Sequence, residues 1–219
     1  MNQSKRKLLL IGGGGHCKVI LDILKYNNTY EIVGIYDDDT TKLGKRILGI
    51  EIKYSGYKDL IRLFKNGITD AFVAIGSVGD PDIRINFFKK LKKIGFNLPI
   101  IKSSRAVIAE DVKIGEGTVV MHGAIINPGT KIGKNVIINT GSIIDHDCTI
   151  HDHVHIAPGV TLSGGVKVGY ATHVGTGASI IQNIHIGERT IIGAGSVVTK
   201  DIPNNVIAKG VPARWTKRR

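Results

Sequence analysis

From Ile108 to Val198 every sixth residue of this chain is aliphatic. The series runs Ile108, Ile114, Val120, Ile126, Ile132, Ile138, Ile144, Ile150, Ile156, Leu162, Val168, Val174, Ile180, Ile186, Ile192, Val198, with no miss. A helix repeats near 3.6 and a strand at 2, so neither explains a period of six. The pattern fits a β-solenoid in which each hexapeptide is a short strand plus a corner, and three hexapeptides close one triangular coil. A small or aliphatic residue stands four places after each member, as at Thr118, Ala124, Ser142, Cys148 and Ala178. Glycine often follows the aliphatic itself, as at Gly115, Gly133, Gly169, Gly187 and Gly193. The spacing predicts a parallel β-helix of about five coils over residues 106–219. Burial of the aliphatic column alone does not offset the entropy of ordering such a chain. Packing between subunits is expected to contribute, which points to an oligomer.

Residues 1–105 follow another rhythm, strand then helix. "KLLLIGGGGH" reads as an apolar strand entering a glycine turn, and "HCKVILDILKYN" carries Val19, Ile20, Ile23 and Leu24 at helical spacing. "YEIVGIYDDD" is a second strand that ends in acids. "YKDLIRLFKNG" is a short helix stopped by Gly67, and "DAFVAIGS" a buried strand. "DPDIRINFFKKLKKIG" is a helix with Pro81 near its start and Gly95 past its end, and "FNLPII" is read as a final strand. Alternation of this kind implies a small parallel sheet. The boundary between the two domains falls near Lys102–Ala106, where the period changes.

Composition narrows the partners. The formal charge is +12, with 19 Lys+Arg against 10 Asp+Glu in residues 1–105 and 11 against 8 in residues 106–219. The cations cluster in "KKLKK" (Lys89–Lys93) and the terminal "KRR" (Lys217–Arg219), without interleaved aromatic residues. A solvated helix face, with some attraction for phosphorylated small molecules, fits better than nucleic acid. No apolar run approaches the roughly 20 residues that span a bilayer, and "LLLI" is too short for a signal-peptide core. A cytoplasmic protein without membrane insertion is expected. Cys17 and Cys148 stand alone, so no disulfide framework is expected.

The run "GGGGHCK" follows a strand and opens a helix, where glycines let the backbone approach a phosphate at the helix N-terminus. The dinucleotide fingerprint is incomplete because Cys17 takes the third glycine position, although Asp37 lies where a ribose-binding acid would. A nucleotide or nucleotide-sugar site is favoured over a whole dinucleotide and over a merely structural turn.

The densest ionisable stretch is "IIDHDCTIHDHVHIAPG", Ile143 to Gly159. With Ile144 and Ile150 inward, His146 falls near a corner and Cys148 fills a small inward position. His151 belongs to a turn. His155 should point out of the prism. His122, His153, His173 and His185 read as surface residues. His146 and His151 show the five-residue spacing of two zinc ligands in the prism-shaped carbonic anhydrases, but the third histidine of that pattern would fall two coils before His146, where this chain has Glu110. No metal is expected.

These residues also carry a family resemblance. "IGGGGHCK", "YDDD", "VAIGS" with Arg84 after it, "INTGSIIDHDCTI", "HVHIAPGVTLSGGVKVG", "IIGAGSVVTKDIP" and "GVPAR" together make the chain similar to bacterial sugar O- and N-acetyltransferases built on a left-handed β-helix. The group includes sialic acid O-acetyltransferases and N-acetyltransferases of nucleotide-linked 4-amino-sugars. The resemblance spans nearly the whole chain. It implies a small Rossmann-like nucleotide-sugar domain (1–105) followed by a catalytic left-handed β-helix that binds acetyl-CoA (106–219). It implies a homotrimer with acetyl-CoA between adjacent prisms, and a role in surface glycan biosynthesis. By position it implies His146 as general base and Asp147 as the acid that strengthens it. Gly14, Gly15, His16, Asp37, Asp38 and Gly76 match the lining of the nucleotide-sugar pocket, and Asn139 lies near the reacting centre. His155, Thr176 and Ala194 match acetyl-CoA contacts, with Gly164 nearby. N-acetylation of a nucleotide-linked amino-sugar is favoured; O-acetylation of a sialic acid or another glycan precursor is the rival. A non-catalytic sugar-nucleotide-binding partner is disfavoured by the intact His146 and its acidic neighbours. Asp145 gives His146 an acid on each side, and sequence leaves open which one orients it.

Overall fold

The structure, a computed structural model, describes residues 5–26 and 29–217. Arg218 and Arg219 of the terminal basic cluster lie outside the described residues, as do Met1–Ser4 and Asn27–Asn28. The chain divides into two units: Met1–Gly76 with Asp82–Ile101, and Lys102–Arg219 with the short segment Ser77–Pro81.

The first unit is built on β1 (Arg6–Ile11), α1 (Gly15–Lys25), β2 (Tyr30–Tyr36), β3 (Arg46–Ile47), β4 (Ile50–Tyr54), α2 (Tyr57–Lys65), β5 (Asp70–Val73) and α3 (Asp82–Ile94). The sheet order is β3-β4-β2-β1-β5. β1 pairs in parallel with both β2 and β5, and β4 in parallel with β2. Leu8, Leu9, Leu10 and Ile11 of β1 are completely buried, as expected of a central strand covered on both faces. The hairpin β3–β4 was not anticipated from sequence. Its turn sits at Leu48 and Gly49, both with positive φ, and the alternation Ile50, Ile52, Tyr54 was its only signal.

The expected final strand "FNLPII" is not one. It contributes a single parallel bridge between Asp70 and Asn97, followed by the two-residue β6 (Ile101–Lys102), which is not part of this sheet. Phe96 and Leu98 are buried against the core. Pro99, which has no N–H to give a ladder, ends the run.

The second unit is the solenoid. Sixteen two-residue strands run from β7 (Val107–Ile108) to β22 (Val197–Val198), and each up to β19 (Ser179–Ile180) pairs in parallel with the strand eighteen residues on. They stack into three sheets, the faces of a left-handed prism. The first face holds β7 and every third strand to β22. The second holds β8 (Lys113–Ile114) to β20 (His185–Ile186), and the third β9 (Val119–Val120) to β21 (Ile191–Ile192). The aliphatic column points inward: all of its members are buried except Ile108 and Ile114, half-buried in the first coil. Thr118, Ala124, Ser142, Cys148 and Ala178 are completely buried beside it. A hairpin, β23 (Val206–Gly210) and β24 (Ala213–Lys217), closes the last coil.

The outward positions differ by face. On the first face they are Val107, Ile125, Ile143, Thr161, Ser179 and Val197, in register. On the second they are Lys113, Lys131, Thr149, Lys167 and His185. One face is largely apolar and the next is basic.

Candidate active site

The corner between the first and second faces carries the stretch Asp145–His146–Asp147, between β13 (Ile143–Ile144) and β14 (Thr149–Ile150). In four successive turns along this edge the second residue has left-handed backbone: Gly129, Asp147, Gly165 and Asn183 have φ of 75°, 59°, 71° and 61°. Glycine, Asn and Asp tolerate that conformation best, which explains the residue types found. At residue 129 glycine is also required for space, because a β-carbon there would collide with Asp147 Oδ1.

His146 projects into solvent with its side chain 62% exposed. Its Nδ1 lies 2.8 Å from Asp147 Oδ2. A carboxylate can only accept, so Nδ1 carries the hydrogen and Nε2 presents a lone pair. Asp145 faces the other way: its Oδ1 accepts the backbone N–H of His146 at 2.8 Å and the side-chain amide of Asn127 at 2.8 Å. The acid that orients the ring is therefore Asp147. The hydrogen bond to Asp147, then the charge of Asp145, raise the imidazole pKa above its ordinary value. The shallow cleft around the ring is lined by Asp145, Asp147, Ser163, Gly164, Gly165, Gln182 and Asn183. Gly164 lies one coil past His146, and its backbone N–H makes no hydrogen bond among the described residues. Cys148 is inward and buried, its thiol pushed up to about 11 mainly by burial, so it is no nucleophile.

His155 and Asn139 form a second cluster on the third face. His155 occupies an outward position but is only 6% exposed, contrary to expectation, because Ser77 lies over it. Its Nδ1 donates to the Ser77 carbonyl at 2.5 Å. That fixes the tautomer, so Nε2 accepts from Asn139 Nδ2 at 3.1 Å, while Asn139 Oδ1 accepts the Thr140 N–H. The ring also contacts His173, with centroids 4.8 Å apart. The surface assignments of His153 and His173 are corrected. His173 is covered beside His155, and His153 sits in a left-handed corner, bonded to Asn135 at 2.9 Å with its ring edge-on to Tyr170. His185 and His151 are exposed, and His122 is half-buried against Ser103. Among the described residues no three His, Cys, Asp or Glu side chains gather as metal ligands.

Thr176 and Ala194 are exposed at the corner between the third and first faces, one coil apart. Within one chain they stand on a different edge of the prism from His146 and Gly164.

In the first unit Gly14, Gly15, His16, Asp37, Asp38 and Gly76 do line one cavity, of about 660 Å³. Tyr36, Lys42, Ile83 and Phe87 complete the wall and were not anticipated. α1 begins here with no side-chain cap, leaving its first N–H groups open to an anion. A β-carbon at Gly14 or Gly15 would meet nothing within 4 Å, so these glycines face open space. Asp37 Oδ2 accepts the Gly13 N–H at 2.8 Å and pairs with Lys42 at 3.0 Å. Burial opposes its charge, but the N–H groups of Asp39 and Gly13 and the Lys42 ammonium outweigh this and hold the acid below its ordinary range. Asp38 accepts from the Tyr36 hydroxyl, and burial, then that bond, push the phenol pKa up. His16 is held neutral, its pKa lowered to about 4 by burial and then by the Arg84 cation.

Comparison with known proteins follows the same division. Residues 7–91 match the model of the PglD N-terminal domain, and residues 105–140 and 129–164 that of the bacterial transferase hexapeptide (six repeats). Among curated proteins none matches. A mutant of perosamine N-acetyltransferase from Caulobacter crescentus, solved with CoA and GDP-perosamine, is 37% identical over 97% of each chain, with a TM-score of 0.90. The acetyltransferase domain of PglB from Neisseria gonorrhoeae, solved with acetyl coenzyme A, is 33% identical over 96% of this chain and 99% of that one, TM-score 0.85. WeeI from Acinetobacter baumannii is 27% identical over 95% and 99%, TM-score 0.82.

Proposed function

Because the chain belongs to the bacterial sugar acetyltransferases of the left-handed β-helix, hexapeptide-repeat family, we propose that it moves an acetyl group from acetyl-CoA to the amine of a nucleotide-linked amino-sugar, with His146 as general base. The observation that carries the mechanism is the exposed His146–Asp147 pair, with Nδ1 held and Nε2 free. The amine attacks the thioester carbonyl, and His146 Nε2 takes the proton it loses. Asp147 fixes the tautomer and stabilises the imidazolium that forms. The Gly164 N–H is the donor offered to the tetrahedral oxyanion. Collapse expels the CoA thiolate, and the imidazolium returns a proton to it.

The nucleotide-sugar enters the cavity of the first unit, with phosphate at the open end of α1 and Asp37 and Asp38 toward the nucleoside. The GDP-perosamine bound by the Caulobacter relative supports this use, and supports N- over O-acetylation. Acetyl-CoA lies along the prism edge of Thr176 and Ala194, with His155 at its acyl end. Since His146 stands on another edge, the two sets belong to neighbouring copies, and the working enzyme is a homotrimer in the cytoplasm, where both substrates are made.

A thiol-release assay with acetyl-CoA and a panel of UDP-, GDP- and dTDP-linked amino-sugars and free sialic acid tests the reading. His146→Ala should lower kcat by roughly 10²–10⁴-fold with the protein folded. Release with sialic acid alone would replace N- by O-acetylation, and a wild-type rate in His146→Ala would remove the base.

A further inference from the structure

Asn127 has no assigned role. It lies eighteen residues before Asp145, directly across the coil ladder: its N–H donates to Ile144, as that of Asp145 donates to Leu162. Its Nδ2 reaches Asp145 Oδ1 at 2.8 Å, and that same oxygen accepts the His146 N–H at 2.8 Å. One carboxylate oxygen thus ties a side chain on one coil to the backbone of His146 on the next.

The two acids beside His146 therefore have separate tasks. Asp147 holds the ring; Asp145 holds the main chain from which the ring projects. The corresponding positions along this edge are Ala109, Asn127, Asp145, Ser163 and Ile181, each in the same backbone ladder. Only at the coil that bears His146 do they form an amide–carboxylate pair. The pair contributes nothing to the buried aliphatic column, and half-buried neighbours on this edge, such as Ser163, do without one.

A carboxylate one residue from an imidazolium has another partner within reach, the ring itself. If Asp145 turned to the ring it would compete with Asp147 for Nδ1 and release the backbone N–H. The Asn127 amide opposes this by giving the Asp145 oxygen that accepts the His146 N–H a second donor. The groups that face His146 are few. Asp145 and Asp147 flank it on its own coil. The coil before brings Asn127, Pro128 and Gly129, and the coils after bring Ser163, Gly164, Gly165, Gln182 and Asn183. Asp111, one coil below Asn127, is occupied by the Gly129 N–H at 2.7 Å. Among the described residues no other donor bonds the Asp145 carboxylate.

We propose that Asn127 is a positioning residue for acetyl transfer, which acts through Asp145 to fix the turn that presents His146 and to keep that carboxylate off the ring. In keeping with this, the Asn127 hydrogen bond is the chief cause that holds the Asp145 acid below its ordinary range. The proposal rests on His146 being the base.

The test is a double-mutant cycle in the thiol-release assay: Asn127→Ala, Asp145→Ala, the pair together, and His146→Ala alongside. Asn127→Ala should lower kcat about tenfold, the scale of one charge-assisted hydrogen bond, and leave both KM values within about twofold. If Asn127 acts through Asp145, the double variant is no slower than Asp145→Ala. Losses that multiply, or an unchanged kcat in Asn127→Ala, overturn the proposal while leaving the base in place. A wild-type rate in His146→Ala removes the base reading and this proposal together. Should the alanine variant fail to assemble, Asn127→Leu keeps the volume, loses the donor without adding a charge and gives the same comparison.

Discussion

Gly164 carries the face of the His146 ring: a β-carbon at residue 164 would fall 2.6 Å from both Cε1 and Nε2 of that imidazole. The contact joins the proton acceptor to the backbone N–H proposed for the oxyanion. It explains why a glycine stands one coil beyond the histidine, where a side chain would occupy the acceptor nitrogen's own space.

Gly164→Ala should therefore displace the ring rather than unfold the prism. Its backbone does not need left-handed φ, so alanine is not strained there. The expected result is a fall in kcat of about 10²-fold, the cost of roughly 1 Å of misplacement, with the melting temperature within a few degrees of wild type. Equal activity in the two proteins would place the base elsewhere.

Asp147→Asn separates tautomer from charge. The side chain keeps its size and tolerates the left-handed backbone at φ 59°. Asp147 is the largest cause of the raised His146 pKa, so its neutralisation must lower that pKa. The base acts when neutral, and activity is lost as pH falls through its pKa. The acid limb of the kcat profile should lie above the ordinary imidazole range in the wild type, and should move to lower pH in the variant while the plateau falls. A limb that stays in place means that another group titrates.

Much of this was legible in the sequence because a solenoid converts spacing into position. A period of six fixes which residues point inward, and a coil of eighteen fixes which are stacked. Counting eighteen either way from His146 reaches Pro128 and Gly164, a further eighteen reaches Gln182, and eighteen before Asp145 stands Asn127. What stayed hidden came from chain segments with no period. Ser77 covers His155 from 78 residues away, and nothing local to His155 signals it. His153 is buried in a left-handed corner against Asn135 and Tyr170, which the residues next to it do not signal. "FNLPII" has the apolar character of a strand, but Pro99 and the lack of a ladder partner leave it one bridge.

The first unit allows a separation of the two substrates. Asp38 and Tyr36 bond to each other in the wall of the cavity, and neither belongs to the prism. Asp38→Ala should raise KM for the sugar nucleotide by about tenfold and leave KM for acetyl-CoA near wild type. Tyr36→Phe, which removes only the donor to Asp38, should shift the same constant less. An effect confined to acetyl-CoA would mean that the pockets have been assigned the wrong way round.

The outward row of the first face makes the last prediction. Ile143, 38% exposed, lies in register between Ile125 and Thr161, one strand from His146, and Val107 and Val197 extend the apolar row to the ends of the prism. A face of this kind is best covered by another copy, whereas the lysine row of the second face is suited to solvent. Ile143→Lys places a cation in that contact without touching the inward column. Light scattering should give about three times the 23.6 kDa chain for the wild type and a smaller species for the variant. Activity should fall with the trimer, because Thr176 and Ala194 of one chain stand on a different edge from its own His146. A monomeric variant with full activity would show that a single prism suffices, and would remove the shared acetyl-CoA site.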